Sequence, residues 1–113
     1  MTTVRIVRDG TEIRQVSVCG HAGFAPSGED IVCAGISVLM TTGVNALEAV
    51  AGLMPNVVQD EKRALISLSL PDGGNADARH DAQVILRTVL QGLSDLSLAY
   101  PKYLTIVDGR QSP

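Results

Sequence analysis

Apolar and polar positions along this chain follow two periods, and the switches between them mark out seven elements. Val4, Ile6 and Val7, interrupted by Arg5 and Arg8, predict a short strand over Val4–Arg8. Asp9-Gly10 predicts a tight turn, because glycine tolerates positive φ without steric cost. A second strand follows from Ile13 to His21; period two sets Val16 and Val18 on one face, and Ser17, Cys19 and His21 on the other. Ala22 to Asp30 carries Gly23, Pro26, Ser27 and Gly28 and reads as a loop, with Asp30 placed to cap the helix that follows.

That helix is predicted from Ile31 to Ala51, with apolar side chains recurring at Val32, Ile36, Met40, Leu47 and Val50. Gly35 and Gly43, eight residues apart, point within about 80° of each other; close backbone approach on that side and simple tolerance of helical glycine both account for them. Pro55 is read as the stop. Val57–Gln59 and Ala64–Leu70 predict two strands around the charged tip Asp60–Arg63. In the second of them Ala64, Ile66, Leu68 and Leu70 share one face, opposite Ser67 and Ser69. After the turn cluster Pro71–Asn75, a 3–4 repeat of Ala82, Ile85, Leu86, Val89, Leu93 and Leu96 predicts a helix from Asp77 to Tyr100. Leu104–Asp108 is a last strand. The order ββαββαβ, without linker or repeat, predicts one α+β domain over residues 1–113: a mixed layer of about five strands with two helices packed on it.

Composition narrows what such a domain does. Its 113 residues are 45% hydrophobic and 19% charged, a globular balance, with a formal charge of −3. The acidity argues against direct nucleic-acid binding, and a 3% aromatic content argues against base-stacking platforms. Two cysteines are too few for a disulfide scaffold, and the N-terminal residues lack the basic-then-apolar run of a signal peptide, so a reduced, cytoplasmic setting is expected. Ile31 to Leu47 is uncharged but interrupted by Ser37, Thr41, Thr42 and Asn45, which favours a central buried helix over a membrane span. No cofactor or membrane partner is expected.

Reactive side chains concentrate in one stretch. Gly20-His21-Ala22 closes a strand, and Asp30-Ile31-Val32-Cys33-Ala34-Gly35-Ile36-Ser37 opens the helix, placing Cys33 in its expected first turn. A helix N-terminus and a nearby imidazolium both favour thiolate over thiol, histidine exchanges protons near neutral pH, and free helix amides can receive an oxyanion. By residue type alone, the commoner reading of Cys33 is a small buried hydrophobe, and of His21 a surface or packing residue.

The run Gly20-His21-Ala22, then Gly28-Glu29-Asp30-Ile31-Val32-Cys33-Ala34-Gly35, with Asn45-Ala46 further along, resembles the signature of the ribosomal-processing cysteine protease family Prp. The resemblance covers essentially the whole chain in length and element order. It implies a homodimeric cysteine endopeptidase that removes a short N-terminal extension from a large-subunit ribosomal protein. By position Cys33 matches the nucleophile and His21 its proton-transferring partner; Asp30 and Ser37 match motif positions with supporting roles. The segment Ala22–Glu29, with Gly23, Phe24, Pro26 and Gly28, corresponds to a substrate-gating loop.

Other chemistries draw on the same residues. Cys19, His21, Cys33 and His80 are the set available to a zinc site, but no Cys-x2-Cys or His-x3-His spacing joins them, so no metal is expected. Cys19 near Cys33 would make a resolving thiol for a redox sensor; a buried packing role is the plainer reading. A dimeric module that grips a ribosomal protein without cutting it is the remaining alternative. Val84, Leu90 and Leu98 on the second helix read as an extra apolar edge suited to a second copy or to deeper burial.

Overall fold

A computed structural model describes residues 1–20 and 27–109, with side chains described outside 27–30. Its elements are β1 (Thr2–Asp9), β2 (Glu12–Gly20), α1 (Ser27–Ala49), β3 (Asn56–Asp60), β4 (Leu65–Ser69), α2 (Ala76–Ala99) and β5 (Leu104–Asp108). The order is the predicted ββαββαβ. The strands form one sheet in the order β3-β4-β2-β1-β5, antiparallel except for the parallel pair β1–β5.

Both helices supply the apolar stripes that cover one sheet face. Val4 and Ile6 of β1, Val16 and Val18 of β2, and Leu68 of β4 meet Val32, Ile36, Met40 and Leu47 of α1 and Ala82, Leu86, Val89 and Leu93 of α2. Period two holds in β4, where Leu68 is buried toward the helices. On the other face Ser67 meets Ser17 at 2.9 Å, and the Gln15 amide donates to both hydroxyls. Ala64 departs from its expected strand position: it sits in the turn at φ 49°, and β4 begins one residue later. Between Val7 and Arg8 the β1–β2 register shifts, leaving Arg14 unopposed. The Gln83 carboxamide answers both backbone groups of Ile13 there, accepting from its N–H at 2.8 Å and donating to its carbonyl at 2.9 Å, so no buried ladder group is left open.

The ends of α1 differ from expectation. The helix starts at Ser27, so Asp30 lies inside it and is not its N-cap, a position that requires non-helical backbone. Acidic residue types are favoured in a first helical turn and glycine is tolerated there, which outweighs the loop signal of Gly28. At the other end Gly52, not Pro55, makes the stop: at φ 70° it donates to the Glu48 carbonyl, an αL closure, while the Leu53 N–H reaches back to Leu47.

Nor is α1 a central buried helix, since only 28% of its apolar span is buried, and Ile31 and Val38 are 56% and 65% exposed. By length and composition Ile31–Ala49 would suffice to cross a membrane, but here it carries one stripe against the sheet and α2 and turns outward a face whose one charge is Glu48. The expected edge on α2 also divides. Val84 and Leu98 are exposed, whereas Leu90, about 120° around the helix from Val84, packs partly buried against the core.

The two helices meet along an interlocking seam. A Cβ on Gly35 would stand 3.0 Å from Leu96 Cδ1, one on Gly43 2.9 Å from Val89 Cγ2, and one on Gly92 2.6 Å from Leu39 Cδ2. Close approach therefore explains the α1 glycines. Alanine adds about 1 kcal/mol of helix propensity at each site, so the outcome depends on what must yield. Leu96 presents a flexible tip, whereas Val89 is branched at Cβ and stiff. Gly35→Ala is expected to melt at or slightly above the wild-type temperature, and Gly43→Ala several degrees below Gly35→Ala, as read by thermal denaturation.

Candidate active site

Cys33 lies in the second turn of α1, half-buried, on the helix side of the sheet. With Ile36, Ser37, Met40 and Thr41 it forms one wall of a pocket of about 260 Å³. The opposite wall comes from the strands: Thr2 of β1, Val18 and Gly20 of β2, Gln59 of β3, and Ala64 and Ile66 at the start of β4. Four of these residues, Ser37, Gln59, Ala64 and Ile66, also line an adjoining pocket of about 200 Å³ that runs to Asp60 and Glu61 at the hairpin tip. Asp60 is occupied there, its Oδ1 accepting from the Lys62 and Arg63 amides at 3.1 and 3.3 Å. The charged tip expected from the sequence thus forms the far rim of a groove that begins at Cys33.

Gly20 shapes the near rim. It pairs with Thr2, and its N–H donates to the Ala64 carbonyl at 3.1 Å. A Cβ on it would stand 2.6 Å from Thr2 Cα and 2.7 Å from Thr2 Oγ1. Its φ is not in the left-handed region, so lack of room against a neighbouring backbone, and not backbone freedom, requires glycine here.

The second-turn position changes the local chemistry. The amides without intrahelical partners belong to the first four helical residues, and Cys33 lies about 9 Å further along the axis than Ser27. The oxyanion role expected of the helix-start amides therefore does not fall beside Cys33, and the dipole field, strongest within the first turn, is weaker there. Ser37, one turn on, lines the same pocket, and its hydroxyl makes no hydrogen bond among the described residues. It does not back-bond to its own helix as Thr88 does to Val84 at 2.7 Å. His21, Gly23, Phe24 and Pro26 lie outside the described residues; Gly28 and Asp30 are described only as backbone within α1.

Cys19 takes no part in this pocket. Its neighbours Val18 and Gly20 line the Cys33 side, so period two sends Cys19 to the opposite face, where it is exposed, with Sγ 3.6 Å from the Arg63 carbonyl. It is neither the buried packing residue nor a resolving thiol within reach of Cys33. His80, also exposed, stands at the start of α2 beside Asp81 at 3.5 Å. Cys19, Cys33 and His80 are therefore dispersed, and no group of three or more potential metal ligands gathers among the described residues.

A larger cavity, about 490 Å³, opens elsewhere between the β1–β2 turn and α2. Neither cysteine nor histidine lines it, and its Arg8 is engaged by Asp108 through a bidentate pair at 2.7 and 2.9 Å. That hydrogen bonding, against a smaller burial cost and with help from the Asp108 charge, raises the Arg8 pKa, so the arginine stays charged throughout the neutral range. The smaller groove has the reactive group; the larger cavity has none.

A family model described as cysteine protease Prp matches residues 1–105. The ribosomal processing cysteine protease Prp of Staphylococcus aureus is 33% identical over 101 residues, which is 88% of this chain and 92% of that protein. Two crystal structures of the S. aureus ribosomal processing protease superpose over 96% of this chain and 99% of theirs. The complex with a substrate peptide has a TM-score of 0.83 at 28% identity, and the complex with a covalently linked product peptide 0.79 at 30%.

Proposed function

The chain belongs to the cysteine protease Prp family, and from that premise we propose that it removes a short N-terminal extension from a large-subunit ribosomal protein, with Cys33 as nucleophile and His21 as its acid–base partner. The observation that carries the assignment is the position of Cys33 on the wall of a groove open to a peptide, in a fold shared with relatives solved with substrate and covalently linked product peptides.

The weaker helix field at the second turn leaves thiolate formation to a base, and His21 fills that role. It takes the Cys33 proton, the thiolate forms a bond to the scissile carbonyl carbon, and the proton passes to the amine as the C–N bond breaks. Water, deprotonated by His21, then attacks the thioester and frees both the acyl product and the thiol. The Ser37 hydroxyl, available in the same pocket one turn on, donates a hydrogen bond to the bound peptide. Asp30 orients His21, and Gly23, Phe24 and Pro26 belong to a segment that closes over the bound peptide, while Gly28, expected in that segment, falls in α1. Incubating the protein with a peptide copied from the extended N-terminus of the ribosomal protein of the same organism, and reading the products by mass spectrometry, tests the activity; an uncut peptide would overturn it.

The same reading places the protein in the cytoplasm, where its substrate is made and its thiol stays reduced. It also pairs the chain with a second copy. Support comes from the outward face of α1, which is uncharged from Ile31 to Leu47 and lets two acidic molecules approach without like-charge contact. Light scattering at micromolar concentration is expected to give about twice the 11.9 kDa chain mass; a monomer would remove the pairing.

A further inference from the structure

Where the two pockets of the groove meet, two polar side chains face the space without a partner among the described residues: Ser37 from α1 and Gln59 from β3. Gln59 pairs across the ladder with Ile66, which lines the groove, so the strand register aims its side chain to the helix side. Asp60 beyond it is taken up by the hairpin amides, and Thr41 borders only the larger pocket. An exposed glutamine needs no partner, but one held on a paired strand at the junction of a groove presents a fixed donor and acceptor on one planar group. That pair complements the N–H and C=O of a peptide unit.

Spacing supplies the register. Ser37 follows Cys33 by about 6 Å along the helix axis, which equals about two residues of extended chain. We infer that Gln59 binds the backbone of the peptide substrate about two residues from the scissile bond. This inference rests on the protease reading and adds to it a substrate contact that reads the main chain and not a side chain. It makes the groove bind its peptide in extended form, with adjacent side chains turned alternately toward and away from the β3–β4 floor.

The experiment measures cleavage of the extension peptide by wild type, Gln59→Ala and Gln59→Leu, together with the rate of Cys33 alkylation by iodoacetamide read at that residue by mass spectrometry. Loss of one net hydrogen bond is expected to raise KM about 5–10-fold, with kcat within twofold and the alkylation rate unchanged. A second set of substrates carries an ester in place of one amide at successive positions around the cleavage site. An ester two residues away is expected to cost wild type a similar factor in KM and to cost Gln59→Ala nothing further. Unchanged KM in both variants would overturn the inference, as would equal ester penalties in wild type and Gln59→Ala, or a KM rise accompanied by altered Cys33 alkylation. Cleavage that persists in Cys33→Ala would instead remove the protease reading beneath it.

Discussion

Cys33→Ala is expected to lower cleavage of the extension peptide by at least about 10⁴-fold, the scale on which covalent catalysis depends when its nucleophile is deleted. The proposed reaction has no substitute for the thiolate. Cys19 is on the far face of β2, His80 stands beside Asp81 at the start of α2 and does not line the groove, and Ser37 lies one turn away. Removing a half-buried sulfur should cost about 1 kcal/mol or less, so the variant should melt within a few degrees of wild type and bind the peptide nearly as well. Cys33→Ser should fail similarly, because a hydroxyl is far harder to ionise than a thiol. The measurement is a time course by mass spectrometry at matched enzyme concentration, with melting curves alongside. A variant that retains a tenth of the wild-type rate would show that another group attacks the substrate.

Gly20→Val carries the second large effect, and it reaches stability and activity together. Any Cβ at this position meets Thr2 Cα, a backbone atom fixed by the β1–β2 pair and by the Thr2 N–H donating to the Tyr103 carbonyl at 2.9 Å. Side chains swing aside cheaply; a strand paired on both edges does not. Overpacking of this kind costs about 1–3 kcal/mol, which corresponds to a fall of about 5–15 °C in Tm. Because Gly20 and Thr2 both line the Cys33 pocket, cleavage measured well below that Tm should fall by more than the folded fraction explains. Gly20→Ala should show the same two losses on a smaller scale. Wild-type melting and wild-type cleavage in Gly20→Ala would show that β1 yields where the packing says it cannot.

Much of this architecture was legible wherever one period ran undisturbed. The alternation in β4 and the 3–4 stripe of Ala82, Leu86, Val89 and Leu93 found their elements because burial acts on each of those side chains. The start of α1 was hidden because Gly28 reads as loop while a first helical turn tolerates it, and the helix stop because Pro55 is more conspicuous than Gly52. Cys19 shows a different limit. Period two already set it opposite Val16 and Val18, but which side α1 would cover is a tertiary fact, and only that fact separates the two thiols. Gln59 gave no local signal at all. Its importance depends on the β3–β4 register and on a helix that passes above it. For the site, residue types drew attention to Cys33, while the glycine of the Gly20-His21-Ala22 run acquired a physical reason only from the strand beside it.

The parallel pairing of β1 with β5 also governs when the groove comes into being. Thr2, part of its wall, is held on one edge by Gly20 of β2 and on the other by the Tyr103 carbonyl and Leu104 of β5, so two segments about a hundred residues apart in the chain must meet before that wall is fixed on both edges. Closures over such a distance are slow to nucleate and come late in folding. During synthesis the helix carrying Cys33 emerges well before β5, yet the β1 wall of its pocket is held on one edge alone until β5 docks. A nascent chain therefore carries its thiol beside a wall that the last strand has yet to brace.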